Sequence, residues 1–198
     1  MLVSLFGRPG AGKSFVGDWL EQTHGFDHLA LGRLLKQPAI LREIGIDPYE
    51  MAKAIESGRT ITNVRLYSWL YDGIMTSRAP VVVDGYPRAA NSIEPFKRLV
   101  EALPVTRRVI ALNLLAPPDV TAVRIGARGR DDDTIARLAD RNDEYERIQR
   151  PLLDTLPARA ERLDINACGT RDEVLTAVAQ ALGLASQRWG EQAAGLAL

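Results

Sequence analysis

Cysteine is almost missing from this chain of 198 residues: Cys168 is the sole thiol, so no intrachain disulfide can form. Histidine occurs only as His24 and His28, which with one cysteine leaves too few ligands for a His/Cys zinc site. Neither sign of charge is in excess, because 25 basic residues balance 25 acidic ones. That balance argues against nucleic acid or an anionic membrane as partner, so any electrostatic function must lie in local arrangement. No apolar run approaches the ~20 residues needed to cross a bilayer. The opening run Met1-Leu2-Val3-Ser4-Leu5-Phe6 has neither a basic n-region nor a small-residue cleavage site, which points to the cytoplasm.

What is present is an ordinary globular composition, 46% hydrophobic and 25% charged. Short apolar runs at Leu2–Phe6, Pro80–Val83, Arg108–Leu115 and Arg162–Ile165 read as buried strands, with a weaker one at Phe26–Leu29. Helical periodicity fills Gly12–Thr23, Pro48–Glu56, Thr62–Thr76, Asn91–Ala102, Pro118–Ala127, Thr134–Leu153 and Arg171–Leu182. Alternation of this kind predicts an α/β fold, a parallel sheet with helices on both faces. Ligands of such sheets lie at the carboxyl ends of the strands. Residues from Leu184 to Leu198 read as a C-terminal tail.

Directly after the first strand comes Gly7-Arg8-Pro9-Gly10-Ala11-Gly12-Lys13-Ser14, which matches G-x-x-x-x-G-K-[ST] and opens a helix. Glycines here let the backbone curl until its N–H groups face phosphate oxygens, and the helix dipole adds to that field. Gly10, Ala11, Gly12, Lys13 and Ser14 are therefore the nucleotide-binding candidates. Lys13 reaches for the β- and γ-phosphates and the Ser14 hydroxyl for Mg²⁺.

A second cluster, Asp84-Gly85-Tyr86-Pro87-Arg88, also follows a buried strand. Asp84 is placed to hold Mg²⁺ through water, and Arg88 to clamp a phosphate with its planar fork. Taken singly, Asp84 could as well cap the turn and Arg88 form a surface ion pair. Further on, Arg124, Arg128, Arg130, Arg137 and Arg141 surround Asp131-Asp132-Asp133. Such charge runs are by default solvated faces. Phosphoryl transfer, however, is catalysed largely by neutralising the moving group, and arginines do this well.

These three motifs together resemble the adenylate kinase (nucleoside monophosphate kinase) family. The P-loop, the D-G-[FY]-P-R signature at 84–88, and the R-x3-R, lid arginine, Asp-Asp and R-x3-Y pattern from Arg124 to Tyr145 follow in order. Asp164–Thr170 is similar to the family's last strand and adenine loop, so the match runs from Leu2 to about Gly183. The resemblance implies a P-loop fold with a five-stranded parallel core. It implies a helical acceptor-binding insertion near 31–77 and a lid near 126–133, within a kinase domain spanning 1–183. Lys13, Arg88, Arg128, Arg130 and Arg141 would act on the transferring and acceptor phosphates, and Arg124 would lie against the donor adenine. ATP with Mg²⁺ would be the donor and a nucleoside monophosphate the acceptor, in a monomer or small homo-oligomer.

Departures concentrate on the acceptor side, whose candidates are Leu31, Gly32, Arg33, Lys36, Gly85, Arg88 and Ser92. The family's T-G-D-x-[LV]-R element reads Leu31-Gly32-Arg33-Leu34-Leu35-Lys36, and its adenine-reading Gln is Ser92. Arg33 with Lys36 fits an acceptor of extra negative charge, although either residue could simply be solvated. The short lid leaves no room for the zinc-binding insertion of long-lid members. A kinase of the same family acting on a modified nucleotide or a non-nucleotide acceptor is the second reading, and a non-catalytic nucleotide sensor the third. His24 and His28 read as capping or surface residues, Cys168 as a small apolar filler, and Trp19, Trp69 and Tyr71 as packing residues.

Overall fold

The computed structural model describes residues 1–56, 63–128 and 135–185, with the backbone alone at 128 and 135–138. Strands β1 (Leu2–Gly7), β2 (Asp27–Ala30), β3 (Val81–Asp84), β4 (Val109–Leu115) and β5 (Ala160–Asn166) form one parallel sheet in the order β2-β3-β1-β4-β5. Its register aligns Ala30 with Asp84, Leu5 with Asp84, and Gly7 with Leu114. The loops that carry the sequence motifs thus leave one edge of the sheet side by side. The expected P-loop α/β architecture is the one observed.

Residues of the central strands β1, β3 and β4 alternate between two faces, and each face is buried against helices. Val3, Leu5, Val82, Ile110 and Leu112 pack under α1 (Lys13–His24) and α10 (Arg171–Leu182), where Trp19, Leu20, Val174 and Val178 are buried. Leu2, Val81, Val83 and Val109 face the other way, onto Leu66, Leu70 and Ile74 of α5 (Val64–Thr76) and Phe96 and Leu99 of α6 (Ile93–Ala102). Trp19 is core, as expected, and Trp69 and Tyr71 are partly buried against the second cluster. Burying one such Leu or Phe contributes about 1.5–3 kcal/mol, so the two layers hold the loops rigidly.

Between β2 and α5 lie α2 (Leu31–Leu34), α3 (Pro38–Glu43) and α4 (Pro48–Glu56). The first two are too short for periodicity to reveal them in the sequence. After β4 come α7 (Pro118–Arg128) and α8 (Ile135–Glu144). A single helix is expected from Thr134 to Leu153, but the winding changes at Tyr145–Gln149 to a π-turn, followed by α9 (Arg150–Leu152) and a 3₁₀ turn at Leu153–Thr155. Pro151 has no N–H to offer the carbonyl one turn back, and the Arg150 amide bonds instead to Tyr145 O. Among the described residues no helix is long and apolar enough to cross a membrane.

Candidate active site

Gly7 ends β1 with φ +139° and Gly10 follows with φ +84°, conformations that side-chain-bearing residues avoid. Gly10 is also tightly enclosed: a Cβ there would lie 2.8 Å from Thr121 O and 2.9 Å from Ile125 Cγ1, both on α7. The loop is therefore a fixed cradle wedged between α1 and α7. Lys13 opens α1 and folds back over it, its Nζ donating to Gly7 O at 2.6 Å and Arg8 O at 3.0 Å. That places the ammonium across the mouth where the helix N–H groups also point.

Next to Lys13 along α1, the Ser14 hydroxyl donates to Asp84 Oδ2 at 2.7 Å. The P-loop and the end of β3 therefore converge on one pair of hard oxygen donors. Ser14 is exposed and Asp84 half-buried, so water reaches both. A hydroxyl, a carboxylate and open water positions are the donor set that Mg²⁺ prefers.

Beyond Asp84 the chain turns through Gly85, at φ +94°, and a cis Tyr86–Pro87 bond. Arg88 emerges exposed and donates to Glu144 Oε2 at 3.2 Å, at the end of α8. Ser92 is buried, and its hydroxyl accepts from Arg88 N at 3.0 Å and Ala89 N at 3.1 Å while donating to Ala89 O at 2.5 Å. Its bonds hold the arginine loop in shape. The ring of Tyr67 lies 5.3 Å from that of Tyr86, which meets Phe96 at 5.8 Å. Burial raises the Tyr67 phenol above its usual range, and the neighbouring Ser92 hydroxyl partly offsets this.

Of the remaining acceptor candidates, Leu31 is buried against Gly85, while Gly32 and Lys36 are exposed. Arg33 turns the other way, onto α1. It forms an ion pair with Asp18 Oδ1 at 2.9 Å and donates to His28 Nδ1 at 2.6 Å. The His28 side chain is fully buried, not a capping or surface group, because residue 17 is glycine; a Cβ there would collide with the imidazole. Burial first, then the Arg33 charge, lowers the His28 pKa against the pull of Asp84, Asp18 and Glu21. The accepting Nδ1 fits the neutral ring.

On the donor side Arg124 of α7 donates to Gly169 O at 3.2 Å and Cys168 O at 3.5 Å, so it meets the loop after β5. That loop is braced by Cys168 N donating to Asn166 Oδ1 at 3.0 Å and by the Thr170–Glu173 capping box of α10. Cys168 itself is exposed. Arg141 is half-buried on α8. Arg128 ends α7, and Arg130 lies outside the described residues, as do Asp131–Asp133.

Sequence reasoning missed Arg8, Glu144 and Glu146. Arg8 stands at a variable position of the P-loop motif, whose pattern says nothing about where that side chain points. It pairs with Glu146 and lies over the Tyr145 ring, 5.2 Å from its centre.

A family model described as "AAA domain" matches residues 6–139. An adenylate kinase of Mycolicibacterium vanbaalenii is 32% identical over 192 residues, covering 92% of this chain and 99% of that protein. An adenylate kinase of Bacteroides thetaiotaomicron is 26% identical over 91% of this chain and 97% of its own length. A probable UMP-CMP kinase of Arabidopsis thaliana is 26% identical over 86% of this chain and 64% of its own.

Proposed function

Because the chain belongs to the nucleoside monophosphate kinase family that includes the adenylate kinases, and is a phosphotransferase of that type, we propose that it transfers the γ-phosphoryl group of ATP–Mg to a nucleoside monophosphate. The observation that carries this reading is the convergence of Lys13, Ser14, Asp84 and Arg88 at one edge of the sheet.

In this reading the P-loop amides and Lys13 hold the β- and γ-phosphates. Arg124 and the Asn166–Thr170 loop receive the adenine. Ser14, and Asp84 through water, would hold Mg²⁺, which would supply positive charge against that of the phosphates. Arg88 leaves Glu144 to grip the acceptor phosphate, exchanging one carboxylate for one phosphate at little cost in desolvation. Arg141 acts on the moving group, and the family resemblance gives Arg128, Arg130 and a short lid at 126–133, whose side chains lie largely outside the described residues, the role of completing that neutralisation and excluding water.

A second reading keeps the chemistry and changes the acceptor to a modified nucleotide or a non-nucleotide phosphate. The bonding of Ser92 favours it, because that hydroxyl is occupied by its own loop. A site with no group reading a particular base does not select that base strongly. ADP release measured over AMP, GMP, CMP, UMP, dTMP and their deoxy forms separates the two. Turnover of any of these at about 1–10³ per second supports the first reading; silence with all of them, beside ATP binding, sinks it.

A further inference from the structure

Arg8 sits inside the cradle, between Gly7 and Pro9, and its carbonyl accepts from Lys13. Its side chain leaves the cradle altogether. The guanidinium pairs with Glu146, lies over the Tyr145 ring at 5.2 Å, and is largely shielded, with 18% of its side chain exposed. Glu146 is further fixed by Arg150 at 3.1 Å. Tyr145 is buried and begins the π-turn, a rare winding that clusters at functional sites. One residue earlier, Glu144 holds Arg88. The two phosphate-side loops thus grip the same helical segment through adjacent positions.

Tyr145 and Arg141 are four residues apart, so they share a face of the helix. Whatever fixes the rotation of Tyr145 therefore fixes the aim of Arg141. We propose that Arg8 is a positioning residue for phosphoryl transfer: by clasping Tyr145 and Glu146 it locks the phosphate cradle to the helix that carries Arg141. The inference rests on the kinase reading above. A planar, stacking, bidentate cation suits this task, and lysine would supply the charge without the stack.

The test compares Arg8→Met, Glu146→Gln, their double variant and Arg8→Lys in the full chain. Steady-state kinetics use ATP–Mg with whichever monophosphate the wild type phosphorylates, and hydrogen exchange follows the amides of residues 141–146. Each single variant is expected to lower kcat by about 10- to 100-fold, because small misplacement of a catalytic group costs that much. KM for ATP should stay within about threefold, since the cradle still binds ATP. The double variant should be no worse than the singles, Arg8→Lys should recover part of the loss, and exchange at 141–146 should quicken.

If Arg8→Met weakens ATP binding while Glu146→Gln does not, Arg8 holds nucleotide directly and the positioning role is overturned. It is equally overturned if both variants lower only the melting temperature, with kcat and exchange unchanged. A wild type that phosphorylates no monophosphate counts against the kinase reading, and the exchange measurement then decides the clasp by itself.

Discussion

The Ser14 hydroxyl donates to Asp84 Oδ2 across 2.7 Å, joining the start of α1 to the end of β3. Two loops 70 positions apart in sequence are thereby held where a divalent cation and its phosphates would need them. Replacing Asp84 by Asn keeps the shape and removes the charge. The Mg²⁺ concentration giving half-maximal activity should rise about 10- to 100-fold, with little change in thermal stability. A Mg²⁺ titration with an unmoved midpoint would remove Asp84 from the metal site.

Gly10 offers a test of the cradle that involves no charge. Alanine there must adopt φ +84° and press its Cβ against Thr121 O and Ile125. The strain should cost about 1–3 kcal/mol and open the loop. Chemical denaturation should show the loss, and ATP affinity should fall with it. Unchanged stability would mean that α7 yields freely and that the cradle is not wedged.

Ser92→Ala removes the hydroxyl that accepts from Arg88 N and Ala89 N. Leaving those amides unpaired should cost about 1–3 kcal/mol. KM for the acceptor should rise more than KM for ATP, because the loop that aims Arg88 loosens. A shift in acceptor preference with stability intact would instead assign Ser92 to reading the acceptor.

His28 makes the fold sensitive to acid. In the folded chain burial, and then the Arg33 charge, lowers its pKa from the ordinary 6.5. Below that ordinary value the unfolded chain takes up a proton that the folded chain resists, so stability is full above about pH 6.5 and declines below it. His24 adds to the same trend through its own burial. Denaturant midpoints measured from pH 7 to pH 5 should fall, and the slope should flatten in His28→Gln. An equally steep slope in that variant would show that His28 contributes nothing to it.

Much of this was legible in the sequence. Short apolar runs located all five strands, most strongly β1, β3 and β4, which are buried on both faces; the run at Arg162–Ile165, expected to be buried, lies on the sheet edge and buries only Ile165. The glycine pattern located the cradle because its backbone geometry tolerates few other residues. What could not be read were pairings set by tertiary contact. Arg33, placed by sequence at the acceptor, is drawn to Asp18 and a buried His28 because Gly17 opens space on α1. Ser92 became a loop brace, and Arg8 reached a helix far along the chain. Long polar side chains choose partners by geometry that spacing along the chain does not encode.

The most direct measurement follows the label of [γ-³²P]ATP with the wild type and with Lys13→Met. The wild type should move the label onto an added nucleoside monophosphate, giving a labelled nucleoside diphosphate. Lys13→Met should be slower by about 10²–10³-fold or more while still folding. Label that stays in ATP or appears only as inorganic phosphate, with every monophosphate offered, would contradict the kinase reading.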